Sequence, residues 1–454
     1  MKASKFNVLI EKDDGSILFY NSMWGTTAIM DKKNYNIYKS IINTGYKEDE
    51  VAHELQTLTV QLKKGGFIVE DSIDELKYLK QRYEDRILNI SMLRLYIVPT
   101  SACNFACKYC YYEGCEGSGS NKMSEEVQDS LLEFVRKRIG NKRILNIVWT
   151  GGEPTLALDV IMRLSKGLMK ITQELGITYI SSIFTNGYLL DRDMVEKLRE
   201  CGICIAQVVV DGPRQVHNNR RPLLNGDGTF DVIMKNLKDI SDKIEIALRI
   251  NLDSTNANSN SIISLMDSLK QCNLPPTTII ELAHVMPFTS HCFEFVTRYG
   301  LGSKELGVRL AELYPLVYES GFKPKIDIFP EINVSLCTTN SCFGISEEGD
   351  LYRCFLLIGD KSECVGSILK DEGAPEKNEK HRIWNTWSPF SHEECHDCNI
   401  LPICMGGGCP LYDIAKNEYL QKNIRCIPLR FYINEAIELG CRILQKQRRD
   451  KNAI

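Results

Sequence analysis

Between Leu93 and His284 the chain alternates two patterns. Short apolar runs rich in Ile, Val and Leu occur at 93–98, 144–149, 178–184, 203–210, 244–251 and 279–285. Between them lie longer stretches with apolar residues three or four apart, near 124–139, 158–175, 191–200, 231–241 and 260–271. The first pattern suits strands and the second amphipathic helices. Six strands with helices between them predict an α/β fold, a parallel sheet curled into a partial (β/α)6 TIM-like barrel. Active sites of such barrels sit on the loops that follow the C-terminal ends of the strands.

Upstream, residues 6–10 and 17–20 read as strands joined by Asp13-Asp14-Gly15-Ser16, a hairpin turn signal, with a third strand at 26–29. Helices follow near 35–43 and 48–64, the second carrying Val51, Leu55, Leu58 and Leu62 at helical spacing. Gly65-Gly66 ends it, and Phe67-Ile68-Val69 returns as a strand. These elements predict a winged-helix-like module within residues 1–88, its last part, 72–88, a charged helical linker. The barrel then occupies 89–300, a bridging region 301–334, and a cysteine-rich region 335–454 that ends in a helix from about 428.

Composition narrows the function. A net charge of −4 gives no electrostatic basis for nucleic-acid binding. No apolar run reaches the ~18 residues of a membrane span, and Met1-Lys2-Ala3-Ser4-Lys5-Phe6 holds no apolar signal core. A cytoplasmic protein is expected, with no membrane and no nucleic-acid partner. The 18 cysteines are then unusual. In a reducing compartment, metal ligation explains their clustering better than disulfides do.

Cys103, Cys107 and Cys110 form a Cys-x3-Cys-x2-Cys run just after the first barrel strand. Three thiolates on one tight loop can hold three irons of a 4Fe–4S cube and leave the fourth iron open, whereas an electron-carrying cluster uses four cysteines. Three more short sequences follow the next three strands: Gly151-Gly152-Glu153-Pro154, Thr185-Asn186-Gly187 and Asp211-Gly212-Pro213. A second group of thiols comprises Cys337, Cys342, Cys354, Cys395, Cys398, Cys404, Cys409 and Cys426. Eight thiolates suit two fully ligated cubes, and zinc ribbons are the competing reading of their Cys-x2-Cys knuckle. The remaining cysteines read as buried packing residues, including Cys115, five residues beyond the first triad.

The triad and the GGEP element resemble the signature of the radical S-adenosylmethionine (SAM) superfamily. The resemblance implies that SAM fills the open iron, that an electron from the reduced cluster cleaves its sulfonium, and that a 5′-deoxyadenosyl radical abstracts hydrogen from a substrate. It implies cofactor contacts from Tyr109 to the adenine, from Gly151, Gly152 and Glu153 to the methionyl group, and from Thr185 and Asn186 to the ribose. Asp211-Gly212-Pro213 with His217 and Arg221 resembles the D-G-P…H-D-x-x-R segment of peptide-modifying members, departing from it at Val209 and Asn218. Arg221 and Arg249 are candidates to pair with a carboxylate. The C-terminal thiols resemble the SPASM extension, with four residues rather than three between Cys404 and Cys409. Carried over by position, that resemblance assigns Cys337, Cys342, Cys354 and Cys409 to an inner cluster and Cys395, Cys398, Cys404 and Cys426 to an outer one.

An N-terminal winged module, a radical barrel and a two-cluster tail together resemble the maturases of ribosomally made peptides (RiPPs). The expectation is an enzyme with three 4Fe–4S clusters and SAM that oxidatively modifies a precursor peptide, forming a thioether or carbon–carbon crosslink. Its leader would pair with the N-terminal module by strand addition. A low-potential donor such as flavodoxin or ferredoxin would supply electrons. Two alternatives remain. An anaerobic sulfatase maturase would need an acidic residue after the cysteine matching Cys354, where this chain has Phe355. A non-catalytic iron–sulfur carrier or zinc-binding scaffold would not cleave SAM.

Overall fold

The computed structural model describes residues 1–44, 53–112, 122–326, 328, 334–369, 375–414 and 426–452. Cys115 and the start of the helix expected at 48–64 lie outside them.

The N-terminal region holds β1 (Lys2–Ala3), β2 (Asn7–Glu11), β3 (Ile17–Asn21), β4 (Thr26–Met30) and β5 (Ile68–Val69), with helices Lys32–Thr44 and His53–Lys64. β2, β3 and β4 form an antiparallel sheet, and β1 pairs with β5. The expected hairpin closes at Gly15, whose φ of 76° is one that glycine adopts freely. Phe19, Tyr38, Ile41, Leu62 and Phe67 make a small core of their own. The segment expected as a charged helical linker is a helix, Glu75–Leu88, capped by Asp74, which accepts from the Lys77 amide, and one face of it is apolar. Its Leu79 and Tyr83 are buried because they stand four apart on one face.

The central sheet runs through β6 (Met92–Ile97), β7 (Ile144–Trp149), β8 (Thr178–Thr185), β9 (Ile203–Val209), β10 (Glu245–Leu252) and β11 (Ile279–His284), every neighbouring pair parallel. Alternation sorts the side chains. Leu93, Leu95, Ile97, Leu145, Ile147 and Trp149 are fully buried in the main core with the helices. Each such residue contributes about 1.5–3 kcal/mol of burial. The intervening Tyr96, Phe184, Gln207, Arg249, Asn251 and Glu281 belong to the other face. Helix Leu158–Leu175 buries Val160, Ile161, Leu164, Leu168 and Ile171, the spacing expected of a covering helix.

The sheet extends beyond the six expected strands. At one edge β12 (Lys323–Pro324) follows β11. At the other, β13 (Cys342–Ile345) lies parallel to β6, pairing Phe343 with Leu95 and Ile345 with Ile97, and continues into antiparallel β14 (Asp350–Tyr352) and β15 (Gly366–Ser367). The cysteine-rich region is thus hydrogen-bonded into the barrel sheet. No helix among the described residues is long and apolar enough to cross a membrane.

Candidate functional site

A cavity of about 650 Å³ opens where the strands end. Cys103, Cys107 and Cys110 line it together with Gly151, Gly152, Thr185 and Asn186. Gly152 permits the closest approach in the site. A Cβ there would fall inside the van der Waals shell of the Ser101 and Ala102 carbonyl oxygens, so only glycine lets this loop lie against the cysteine loop.

A second segment straps the cysteine loop in place. The Ala106 amide donates to the Pro222 carbonyl (2.9 Å), Lys108 N to Arg220 O (3.1 Å) and Leu224 N to Asn104 O (3.1 Å), while Phe105 bridges to Leu223. The three thiols are close enough for their charges to interact, and burial pushes Cys103 and Cys107 up to about 12. Such thiols ionise on binding a metal.

Glu153 is held in a hydrogen-bond network. It is fully buried and is not among the cavity-lining residues. Its Oε1 accepts from the Thr155 amide (3.1 Å), Thr155 Oγ1 (2.6 Å) and Thr185 Oγ1 (2.8 Å), and its Oε2 from the Asn186 amide (2.7 Å). Its carboxylate therefore fixes the Thr185-Asn186 turn. Asn186 Nδ2 in turn donates to Asn104 Oδ1 (2.7 Å), which ties that turn to the cysteine loop.

Tyr109 is also tied down. Its hydroxyl donates to Asp211 Oδ2 and accepts from Arg221 Nη1 (2.9 Å) and Asn251 Nδ2 (3.2 Å). The Arg220 guanidinium lies 4.8 Å from its ring centre, joins Asp211 (3.2 Å) and Asp253, and donates to the Asn251 carbonyl (2.9 Å). Burial disfavours the Asp211 carboxylate, but Arg220 and Arg221 outweigh it and hold its pKa below the ordinary range. His217 is buried and pushed down to about 3 by that burial and by Arg221. Its Nδ1 accepts from the Asp211 amide (3.2 Å). Asn218 caps the next helix by accepting from the Thr229 and Phe230 amides. Val209, the other departure from the peptide-modifying pattern, lines the cavity.

The opposite wall carries residues that sequence reasoning missed. Arg249, the expected carboxylate partner, meets Glu281 (3.2 Å), its register partner on β11. Lys325 (3.2 Å) and Gln207 (3.2 Å) complete the contacts of Glu281. The available signal was the period-two placement of Gln207, Arg249 and Glu281 on their strands. Phe355 stacks on Tyr96 with centroids 4.6 Å apart and, with Phe184, makes an apolar wall.

The eight C-terminal thiols form two sets outside the cavity lining. Cys342 and Cys354 hydrogen-bond to Cys337 and hold its pKa well below the thiol range, and Cys409 is near enough for its charge to act on Cys337 and Cys354. Cys404 interacts with Cys398, Cys395 and Cys426. Each set has an arginine. Arg353 donates to the Cys337 (2.6 Å) and Cys342 (3.2 Å) carbonyls, and Arg430 to Cys426 Sγ (3.5 Å). Two cations beside two sets of four soft donors fit anionic thiolate-ligated clusters. No three Cys, His, Asp or Glu side chains among the described residues converge to hold one ion.

Residues 97–253 match the family model of the Radical SAM superfamily. The cysteine-type anaerobic sulfatase-maturating enzyme of Clostridium perfringens is 25% identical over 74% of this chain and 93% of its own length. The serine-type enzyme of Klebsiella aerogenes is 29% identical over 68% and 78%. Among solved structures, anSMEcpe with bound AdoMet matches with a TM-score of 0.61 at 21% identity, covering 79% of this chain and 96% of that one. Streptococcus suis SuiB bound to the precursor peptide SuiA matches at 0.52 and 14%, covering 94% and 98%. The chain carries a radical SAM domain over residues 97–253 and is an enzyme homologous to the anaerobic sulfatase-maturating enzymes.

Proposed function

We propose that this enzyme oxidatively modifies a ribosomally made precursor peptide, closing a thioether or carbon–carbon crosslink. The observation that carries this reading is the N-terminal module. The fold likeness to SuiB, a protein seen with its precursor peptide, spans 94% of this chain, a share that cannot be reached without most of residues 1–88. Among the described residues of that module β4 pairs with β3 alone, and its outer edge would take an added strand from a leader peptide.

The bound cluster and SAM would supply a 5′-deoxyadenosyl radical. This chain's residues do the rest. Cys103, Cys107 and Cys110 would hold the first cluster, and Gly151, Gly152, Thr185 and Asn186 would border SAM beside Tyr109. The aromatic wall of Tyr96, Phe184 and Phe355 would exclude water from a substrate side chain, and the Arg249–Glu281–Lys325 wall would orient it. Two further clusters, on the inner and outer thiol sets, would accept the product electron. A flavodoxin or ferredoxin would reduce the first cluster.

The test is anaerobic turnover with SAM, a strong reductant and a candidate precursor peptide. A mass loss of ~2 Da per link, with SAM cleaved, is expected from this cofactor chemistry. Absence of SAM cleavage in iron-loaded enzyme would overturn it. The relatives support a second reading, formylglycine formation on a sulfatase. It would be favoured if a sulfatase-motif peptide were oxidised without a crosslink. Phe355 counts against it, because it offers the cavity a ring and no carboxylate.

A further inference from the structure

The sequence departs from the SPASM spacing at one place, the extra residue between Cys404 and Cys409. Met405, Gly406, Gly407 and Gly408 all have positive φ, at 47°, 66°, 102° and 72°. Gly406 lies so close to the Pro389 backbone that a Cβ would come within 2.6 Å of its carbonyl oxygen. Met405 is the one non-glycine in this left-handed run, a conformation that costs an L-residue about 1–2 kcal/mol.

The side chain that accepts this cost is buried against the N-terminal region. Met405 and Leu401 form one apolar cluster with Phe6, Met23, Leu79 and Tyr83, and Cys395 and Cys398 pack on that cluster. Polar contacts surround it. Lys5 pairs with Asp397 (3.4 Å), Asn399 Nδ2 donates to the Asn7 carbonyl (3.3 Å), and the Ser22 hydroxyl donates to the Asn399 carbonyl. Tyr83 meets Phe390 edge-on at 5.5 Å. The module therefore grips the loop from 395 to 405 at successive positions.

We propose that the N-terminal module is the outer wall of the outer-cluster site, with Met405 as its peg, and that it holds the outer cluster in the protein and keeps water from it. This rests on the assignment of Cys395, Cys398, Cys404 and Cys426 to a cluster. It gives the module a task separate from leader binding. Surroundings of a metal site control solvent access and retention, and their loss commonly costs 10–100-fold in affinity.

The test uses the full-length chain, reconstituted anaerobically with iron and sulfide. Met405→Ala and Leu79→Ala are compared with wild type and with Val60→Ala, whose side chain is exposed on the helix His53–Lys64. The readouts are iron per chain and the rate of iron loss to a chelator. Both core variants should lose about four irons, one cube, on the order of 10-fold faster than wild type. SAM cleavage should persist, which separates this effect from global unfolding. Val60→Ala should match wild type. Iron retention unchanged in both core variants would overturn the proposal. Wild-type protein binding no more than about four irons would instead refute the auxiliary-cluster assignment on which it rests.

Discussion

Arg220 is the most exposed test of the electrostatic argument, because it is itself so little exposed. Its side chain is 3% accessible, and the two carboxylates it joins, Asp211 and Asp253, are 0%. Replacing it with Met keeps the volume and removes the cation paired with Asp253 and one of the two arginines beside Asp211. Breaking a buried pair from one side costs about 3–5 kcal/mol, since the remaining charge has no compensation. An unfolding entropy of about 2.1 cal/mol/K per residue makes ~1 kcal/mol/K for a 454-residue chain, so Tm should fall by roughly 3–5 °C. Apoprotein melting followed by circular dichroism reads this without the clusters. The deficit should shrink when Asp253→Asn is added, with a coupling of about 1–3 kcal/mol. Tyr109 would also lose the cation at its ring, so SAM cleavage should drop. A Tm within 1 °C of wild type, or a double variant no better than Arg220→Met, would refute the assignment of Arg220 as the compensating charge.

Three other outcomes follow from the geometry. Gly152→Ala should push the Ser101–Ala102 backbone away and cost about 1–3 kcal/mol. SAM affinity, measured by equilibrium dialysis, should fall with it, and unchanged binding would show that the approach is not needed. With the three clusters proposed above, Cys110→Ala should abolish SAM cleavage while leaving roughly eight of twelve irons by colorimetric assay, the content of two intact cubes. His217 titrates near 6.5 when unfolded and about 3 when folded, so the unfolded chain binds the extra proton between those values. Stability should therefore fall as pH drops from 6.5 toward 3, by up to about 1.4 kcal/mol per pH unit from this group. His217→Gln should flatten that slope in urea titrations at pH 6.5 and 4.5, and an identical slope would refute it.

Much of the barrel was legible because its strands carry β-branched apolar runs at one face and polar residues at the other. Each of the six expected strands falls within a residue or two of its observed position. β13 to β15 were not legible, because short strands interleaved with cysteines and glycines lack the length to display a period. The packing of helix Glu75–Leu88 was not legible for another reason. Its composition is charged, and only the spacing of Leu79 and Tyr83 reveals the face that packs on the C-terminal region. In the site, the motifs located loops that border the cavity, but they did not specify where side chains point. Glu153 faces the interior of its own turn rather than the cavity, and the wall built by Gln207, Glu281 and Lys325 has no local motif at all.

The parallel match between β6 and β13 also sets a timetable for biosynthesis. A ribosome exposes the first barrel strand early, yet the strand that covers its flank is translated only near Cys342. Until then the nascent barrel has a bare margin, and closure waits on a contact between distant parts of the chain, a slow kind of folding step. A polypeptide released short of Ile345 would keep that margin open to intermolecular pairing and aggregation. Fragments ending at the barrel boundary are therefore poor vehicles for expression.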